Sequence, residues 1–358
     1  MAASPPGGGR DIRIDTLRGL FLAVMAVNHI PSELHPWTDH SLGFFSSAEG
    51  FFFLSGLLAG RVYTRRRDRD GAPEARVASW KRAAVIYGAH LVTFFVVFAG
   101  ILTFARLTGT APGHAPALLL EHPWQAAGAA LLLALQPPLF DILPLYAGFM
   151  LLLPGLLALY ARGWQFVVFA ASVAIWFVGY AWVPPAPADA FATHAFPWTA
   201  WQLPLVVGSV CGNFWATGRT GLFVIRPGLL VTAGLVCAGC FIVRHAYVPP
   251  PVPIPILEAI SSKNFLGPLR VLNVAAAFYL LLAAARWLPR LLEIRPLAFL
   301  GKHTLPVFCA HIVAAYVIYA FPGTFDESAG GRWLGTGVIL AVMFVAAWAH
   351  ESWKKRGA

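Results

Sequence analysis

About ten runs of roughly 20 mostly apolar residues, parted by short polar stretches, constrain this chain more than any motif does, because roughly 20 such residues cross the hydrocarbon core of a bilayer. The chain has 358 residues, of which 58% are hydrophobic and 12% charged; the charged share is about half that of an ordinary soluble domain. At a mean hydropathy of +0.67, no single globular core can hide so much apolar surface. Lipid is therefore the solvent for most of it. With 28 prolines and 33 glycines, several helices are expected to be kinked or broken, which membrane helices tolerate where neighbours re-satisfy the backbone. The expected fold class is all-α, a polytopic transmembrane helix bundle of about ten spans.

A net charge of +10 raises nucleic acid as a partner, but the basic residues lie between hydrophobic segments, so no nucleic-acid role is expected. The largest cluster, residues 61–82 (RVYTRRRDRDGAPEARVASWKR), holds eight Arg or Lys against three acids. By the positive-inside bias it reads as a cytoplasmic loop. Alternation from that anchor gives helices near 17–30, 48–63, 83–107, 142–160, 164–183, 198–216, 227–244, 266–285, 297–319 and 334–353. Each inward-ending helix stops at Arg or Lys, which puts both termini in the cytoplasm. Residues 115–137, interrupted by Glu121, His122, Pro123 and Gln136, read as a surface or half-inserted helix; a full span there would invert everything downstream. Residues 1–10 (MAASPPGGGR) read as a disordered tail and 11–356 as one membrane-embedded domain. No cleavable signal peptide is expected, since the apolar run after Arg18 continues into Asn28 and His29 without a cleavage-like end. Cys237 and Cys240 have CxxC spacing inside LVCAGCFIV, where filling space is a better account than metal or redox chemistry.

Ionisable side chains at membrane depth cost several kcal/mol and face a cavity or a partner. Under this topology one set falls at the outer end: His29, Glu49, Asp141, Trp201, Gln202, Lys263, Asn264 and Arg270. A second set, Asp15, Arg18, Lys302 and His303, falls at the inner ends of the first and ninth helices. His29 reads either as an interfacial histidine among headgroups or as a general base, since imidazole titrates near neutral pH. Glu49 opens a helix, where the dipole favours an anion, or else supports an imidazolium. Asp141 caps a helix or binds a sugar hydroxyl. Trp201 and Gln202 belong to an interfacial belt or to sugar recognition. Lys263 and Arg270 are snorkelling anchors or the receptors of a carboxylate ligand. The basic residues Arg61, Arg65, Arg66, Lys81, Arg82 and Lys302 mark topology or attract the phosphates of a cytosolic nucleotide such as coenzyme A. His194, His245 and His350 receive no role. No metal is expected, because no histidine pair has ligand spacing with an acidic or cysteine partner.

Six blocks carry a resemblance: RDIRIDTLRGLFLAVMAVNHIP, SSAEGFFFLSGLLAGRVY, FDILPLY, WTAWQLPLVVG, SSKNFLGPLRVLNVAA and FLGKHTLPVFCAH. In this order, across residues 10–312, they resemble the OpgC family, part of a wider group of membrane acyltransferases with the acyltransferase-three proteins and the heparan glucosaminide acetyltransferases. The resemblance implies a multi-pass enzyme of the bacterial inner membrane that moves an acyl group, succinyl in the named case, from cytosolic acyl-CoA to periplasmic glucan. It makes His29 the expected catalytic histidine, with Asp15 and Arg18 in the first helix signature and Glu49 in the second. Asn28, Asp141, Trp201, Gln202, Lys263, Asn264, Arg270 and His303 match positions whose roles stay unassigned. Asn28 stands where Asp is equally expected, which leaves open what orients the imidazole. Expected partners are membrane lipid, acyl-CoA and the glucan; the oligomeric state, a homo-oligomer included, stays open. Two other readings remain: a transporter or flippase of glycan precursors, and an acetyltransferase acting on another polysaccharide.

Overall fold

Every long apolar run becomes a helix, for a general reason: where water is absent, an amide's nearest partner is the carbonyl four residues back. The computed structural model describes residues 11–112, 115–182, 196–246 and 251–356. The chain begins with α1 (Ile12–Asn28), the one-turn α2 (His35–Thr38), α3 (Ser47–Asp70) and α4 (Ala72–Thr108). Two short helices, α5 (Ala117–Glu121) and α6 (Pro123–Leu131), lead to α7 (Ile142–Ala161), α8 (Gln165–Ala181) and α9 (Trp198–Ala216). The second half holds α10 (Pro227–Arg244), α11 (Ile254–Ser261), α12 (Pro268–Trp287), α13 (Arg295–Lys302), α14 (Thr304–Ala320), α15 (Pro322–Phe325) and α16 (Ala329–Arg356). Among the described residues there is no β-strand. The tail expected over 1–10 and most of the stretch VPPAPADAFATHAFP, with His194, lie outside the described residues.

Five helices, α4, α7, α10, α12 and α16, are each long and apolar enough to cross a membrane, and α13 with α14 makes a sixth if the pair is one broken span. That is fewer than the ten expected spans. The difference lies in α1 and α8, each 17 residues long, and in α3 and α9, which carry more polar residues. Those two are the most buried helices of the bundle, 13 positions each, and their polarity is matched from inside. Tyr160 and Ser209 hydroxyls lie 2.7 Å apart, Asn213 donates to Thr64 at 2.9 Å, and Ser172 donates to Gln202 at 2.6 Å.

The α3–α9 contact is made by backbone. Gly56 and Gly60 face Gly208 and Gly212, and a Cβ on any of the four would fall 2.1 to 2.2 Å from a carbonyl oxygen of the other helix. A small residue every fourth position on both helices is the arrangement that lets membrane helices approach closely. Gly19 on α1 and Gly301 on α13 repeat the device: a Cβ on either would lie 1.8 Å from the partner's carbonyl oxygen.

Two expectations are corrected. The basic stretch 61–82 is helical, running through the end of α3 and the start of α4 with only Gly71 between them, at φ 101°. At about 1.5 Å per residue, the 37 residues of α4 exceed the bilayer core, so the charged hairpin projects beyond lipid while staying helical. The single helix expected at 297–319 is two, α13 and α14, meeting at 92°. Residues 115–137 form only α5 and α6, of five and nine residues, too short to cross. The ends of α4 and the start of α7 therefore lie at the same face of the bundle. The opposite, basic face gathers the start of α1, where Arg13 bonds the Ala285 carbonyl at the end of α12 at 2.9 Å, and the end of α16, where Glu351 meets Lys302. The four cysteines are free; Cys237 and Cys240 are buried, packed beside Asn273 and Gly43.

Candidate functional site

At the end of α1 opposite the basic hairpin, His29 closes the helix as its C-cap, with φ −92° and its N–H on the Ala26 carbonyl. Its carbonyl accepts from the Tyr319 hydroxyl on α14. The residue as a whole is half-buried, and its Nδ1 lies 3.3 Å from Nε2 of His311, the two rings stacked at 22°. His311 is wholly buried and edge-on to Phe308. Its Nδ1 completes no hydrogen bond among the described residues. An imidazole at the end of α1 and a second from the middle of α14 are thus in direct contact.

Asn28, a candidate for orienting that imidazole, is engaged elsewhere. Its side chain bonds the Thr38 hydroxyl at 2.5 Å and the Thr38 carbonyl at 3.3 Å, and His35 reaches the Val27 carbonyl at 3.2 Å. These contacts fold the segment after α1 back over the helix end. Farther along it, Asn273 accepts from the Phe44 and Phe45 amides at 2.6 and 2.9 Å. Arg332 meets Glu33 at 2.6 Å and Arg244 meets Asp39 at 3.4 Å. The His40 ring beside Asp39, helped by Arg244 and Lys263, holds that carboxyl below the usual carboxylate range.

Glu49 lies in the first turn of α3, where it completes a capping box with Ser46. Its other oxygen takes Arg270 at 2.8 Å, a pair whose side chains are 1% and 5% exposed. Removing one member of a pair so deeply buried would leave the other without compensation, and Arg270 also bonds the Phe44 and Ser261 carbonyls. The partner of Glu49 is therefore Arg270, while the partner of the His29 ring is His311. Trp201 is fully buried and donates to the Asn264 carbonyl at 3.0 Å; Gln202 is buried against Ser172. Both face the interior, tying α9 to the 261–266 segment and to α8. Lys263 and Asn264 on that segment are exposed. Asp141 is the buried N-cap of α7, within electrostatic reach of Tyr316.

The inner set lies at the other face. Asp15 is buried on α1, Arg18 donates to Thr304 across the α13–α14 bend, and His303 occupies the bend itself. His303 Nδ1 is 2.7 Å from His350 Nδ1, and its Nε2 is 2.9 Å from Glu351, off the line of a hydrogen bond. His350, which the sequence left without a role, is thus joined to His303. Lys302 meets Glu351 at 3.0 Å. Of the other candidate donor-binding residues, Arg61 stacks over Trp215 at 3.5 Å. Arg66 and Lys81 come together on a cleft of about 410 Å³ between the arms of the basic hairpin, with Pro73, Glu74, Val77 and Ala78. Arg65 is exposed on the hairpin and Arg82 half-buried.

His311 is the residue the sequence reading passed over. Its signal was available: an ionisable side chain in the middle of TLPVFCAHIVAAYVIYA needs a reason at membrane depth. His90, in the middle of α4 and wholly buried against Phe140, carries the same signal. Among the described residues no group of three His, Cys, Asp or Glu is arranged to hold a metal ion.

Comparison with known proteins gives one positive finding: the family model described as OpgC protein matches residues 10–355. No curated protein and no solved structure matches the chain.

Proposed function

The chain belongs to the OpgC family of membrane acyltransferases acting on periplasmic glucans, and from that premise we propose that it carries a succinyl group from cytosolic acyl-CoA to a glucan hydroxyl. The observation that carries the reading is the His29–His311 pair, a histidine at the end of α1 whose ring is backed by a buried imidazole at 3.3 Å. In this reading the His311 ring carries its proton on Nδ1 and leaves Nε2, 3.3 Å from His29, as the acceptor. Its Nε2 then accepts from His29 Nδ1–H, and His29 Nε2 presents a free lone pair. These tautomers are part of the proposal.

That lone pair takes the proton of the glucan hydroxyl as the hydroxyl oxygen attacks the thioester carbonyl carbon. The C–S bond breaks, and the departing CoA thiolate receives the proton from the His29 imidazolium. One ester forms for each thioester lost, and the base is regenerated. The basic face is read as cytoplasmic by its charge; Arg66 and Lys81 on their shared cleft offer two cations to the nucleotide phosphates. Bacterial inner membrane is the corresponding location.

His29→Ala is expected to lower transfer roughly 100-fold or more, the usual contribution of a general base. Retention of a tenth of wild-type activity in purified, folded protein would remove His29 from the chemistry. A second reading, a transporter of glycan precursors, draws on the 92° break between α13 and α14, since broken helices line transporter sites. A donor site requires that CoA or succinyl-CoA raise the melting temperature in detergent, by ligand linkage. Substrate movement with no CoA stabilisation and no CoA release would favour the transporter instead.

A further inference from the structure

Where α7 meets the basic hairpin, a proline changes what the backbone needs. Pro154 has no N–H to give the Met150 carbonyl, which is left without its helical partner. The start of α4 supplies donors instead: Ser79 Oγ donates to that carbonyl at 2.5 Å, and Trp80 Nε1 donates to the Leu151 carbonyl at 3.2 Å. Farther along α7, Arg67 Nη1 from the end of α3 donates to the Leu157 carbonyl at 3.2 Å. A cavity of about 210 Å³ remains between the hairpin and α7, lined by Arg67, Arg76 and Arg162 with Pro154, Leu157 and Ala158. Among the described residues no acid lines it.

Cations without an ion pair are common at this face, so convergence is what marks the cavity. Its three guanidiniums come from the end of α3, the start of α4 and the end of α7, and none of them makes an ion pair among the described residues. Elsewhere on the hairpin Asp70 takes Arg66 and Arg69, at 3.7 and 2.6 Å, and the larger cleft holds Glu74. The positive-inside bias accounts for arginines at this face, but not for three lining one hollow. From the hollow an exposed strip leads along α7: Arg162, Ala158, Gly155 and Leu151 share a helix face and are all exposed. Trp80 is exposed beside Leu151, and Arg76 has its Cζ 5.5 Å from the centre of that indole. Indoles suit the level where headgroups meet acyl chains.

We propose that this cavity binds the phosphate of an anionic membrane lipid, with Arg67, Arg76 and Arg162 on the headgroup and the acyl chains passing Trp80 and Leu151 into the bilayer. Basic pockets between membrane helices at the cytoplasmic side are where such headgroups bind. The apolar strip below the arginines favours a lipid over a soluble phosphate, which has no use for it. Neither the donor nor the acceptor of the acyl transfer enters this assignment.

The test uses the full chain in mild detergent, stripped of lipid, and reads binding of phosphatidylglycerol and phosphatidylcholine by native mass spectrometry. The second lipid carries the same phosphate without net charge. Wild type is expected to prefer phosphatidylglycerol. Arg76→Gln/Arg162→Gln changes two exposed residues and keeps the Arg67 contact with α7. It is expected to lower phosphatidylglycerol affinity by about 25-fold, roughly fivefold for each cation beside an anionic headgroup, and to erase the preference. Arg286→Gln/Arg356→Gln, which removes as much charge from the same face outside the cavity, is expected to change neither. Equal weakening in both double variants would reduce the effect to surface charge and overturn the site, as would a wild type with no preference. Displacement of phosphatidylglycerol by equimolar inorganic phosphate or CoA would give the cavity to a soluble phosphate and overturn the lipid assignment.

Discussion

A neutral imidazole offers its lone pair at whichever nitrogen lacks the proton, and in the proposed mechanism His311, 3.3 Å from His29 Nδ1, holds the proton on that nitrogen. The consequence is measurable. His311→Ala is expected to lower kcat by about 10- to 100-fold with little change in the KM for donor, as the loss of an orienting partner does, while His311→Gln, which keeps an acceptor amide, recovers part of the loss. Unchanged kcat, or an equal change in KM, would count against an orienting role. At this scale sequence reasoning reached His29, because a histidine after an apolar run has a local signature. It flagged Glu49 and Arg270 one by one, yet could not join them: 221 residues separate the pair, and nothing in a helical period encodes a partner so distant. Trp201 and Gln202 were legible as polar-capable groups, but burial decides which way such groups face, and burial is a property of the packed bundle.

Helices are where the sequence was most legible, because a long apolar run has few alternatives in lipid; α7, α9 and α10 begin and end within a residue or so of the expected limits. The bend before α14 escaped notice because prolines are tolerated in membrane helices, so Pro306 could be read through, although it sits in the first turn of α14, where a proline suits a helix start. The basic hairpin escaped because its charges were read for topology, while arginine, lysine and alanine are also good helix formers. The α3–α9 seam turns on four glycines, and two changes separate packing from propensity. Gly208→Val has to displace the Phe53 carbonyl, which a Cβ would approach to 2.2 Å, and is expected to destabilise by about 3 kcal/mol, the upper range for overpacking a close-packed interior. Gly88→Ala on α4 meets nothing within 4 Å and is expected to leave stability unchanged or raise it by up to about 1 kcal/mol. Unfolding of both variants in mild detergent checks the contrast; equal effects would mean that the seam does not hold the bundle.

At the scale of the whole molecule, the proposed transfer requires two compartments, because the proposed donor is charged and cytosolic while a periplasmic glucan lies beyond the membrane. The bundle has two chemically different faces. One collects the hairpin of residues 61–82, Arg162, Arg286, Arg290 and the terminal Lys354, Lys355 and Arg356. The other carries His29, the 261–266 segment and the segment pinned by Asn273 and Arg332. Exposed tryptophans accompany both, Trp37, Trp124, Trp182 and Trp333 near the His29 face and Trp80, Trp164, Trp287 and Trp353 near the basic one, as expected of two interfacial belts. The parity of crossings depends on α5 and α6, and helices of five and nine residues cannot span roughly 30 Å of hydrocarbon. Trp37→Cys, on α2 beside His29, is therefore expected to react with a membrane-impermeant maleimide added outside intact spheroplasts. Arg65→Cys, on the hairpin, is expected to react only after the membrane is opened. The native cysteines are buried or half-buried, so their background labelling is low. Labelling of both positions from one side would place the base and the basic cleft in the same compartment. Transfer across the bilayer would then be impossible, whatever chemistry His29 performs.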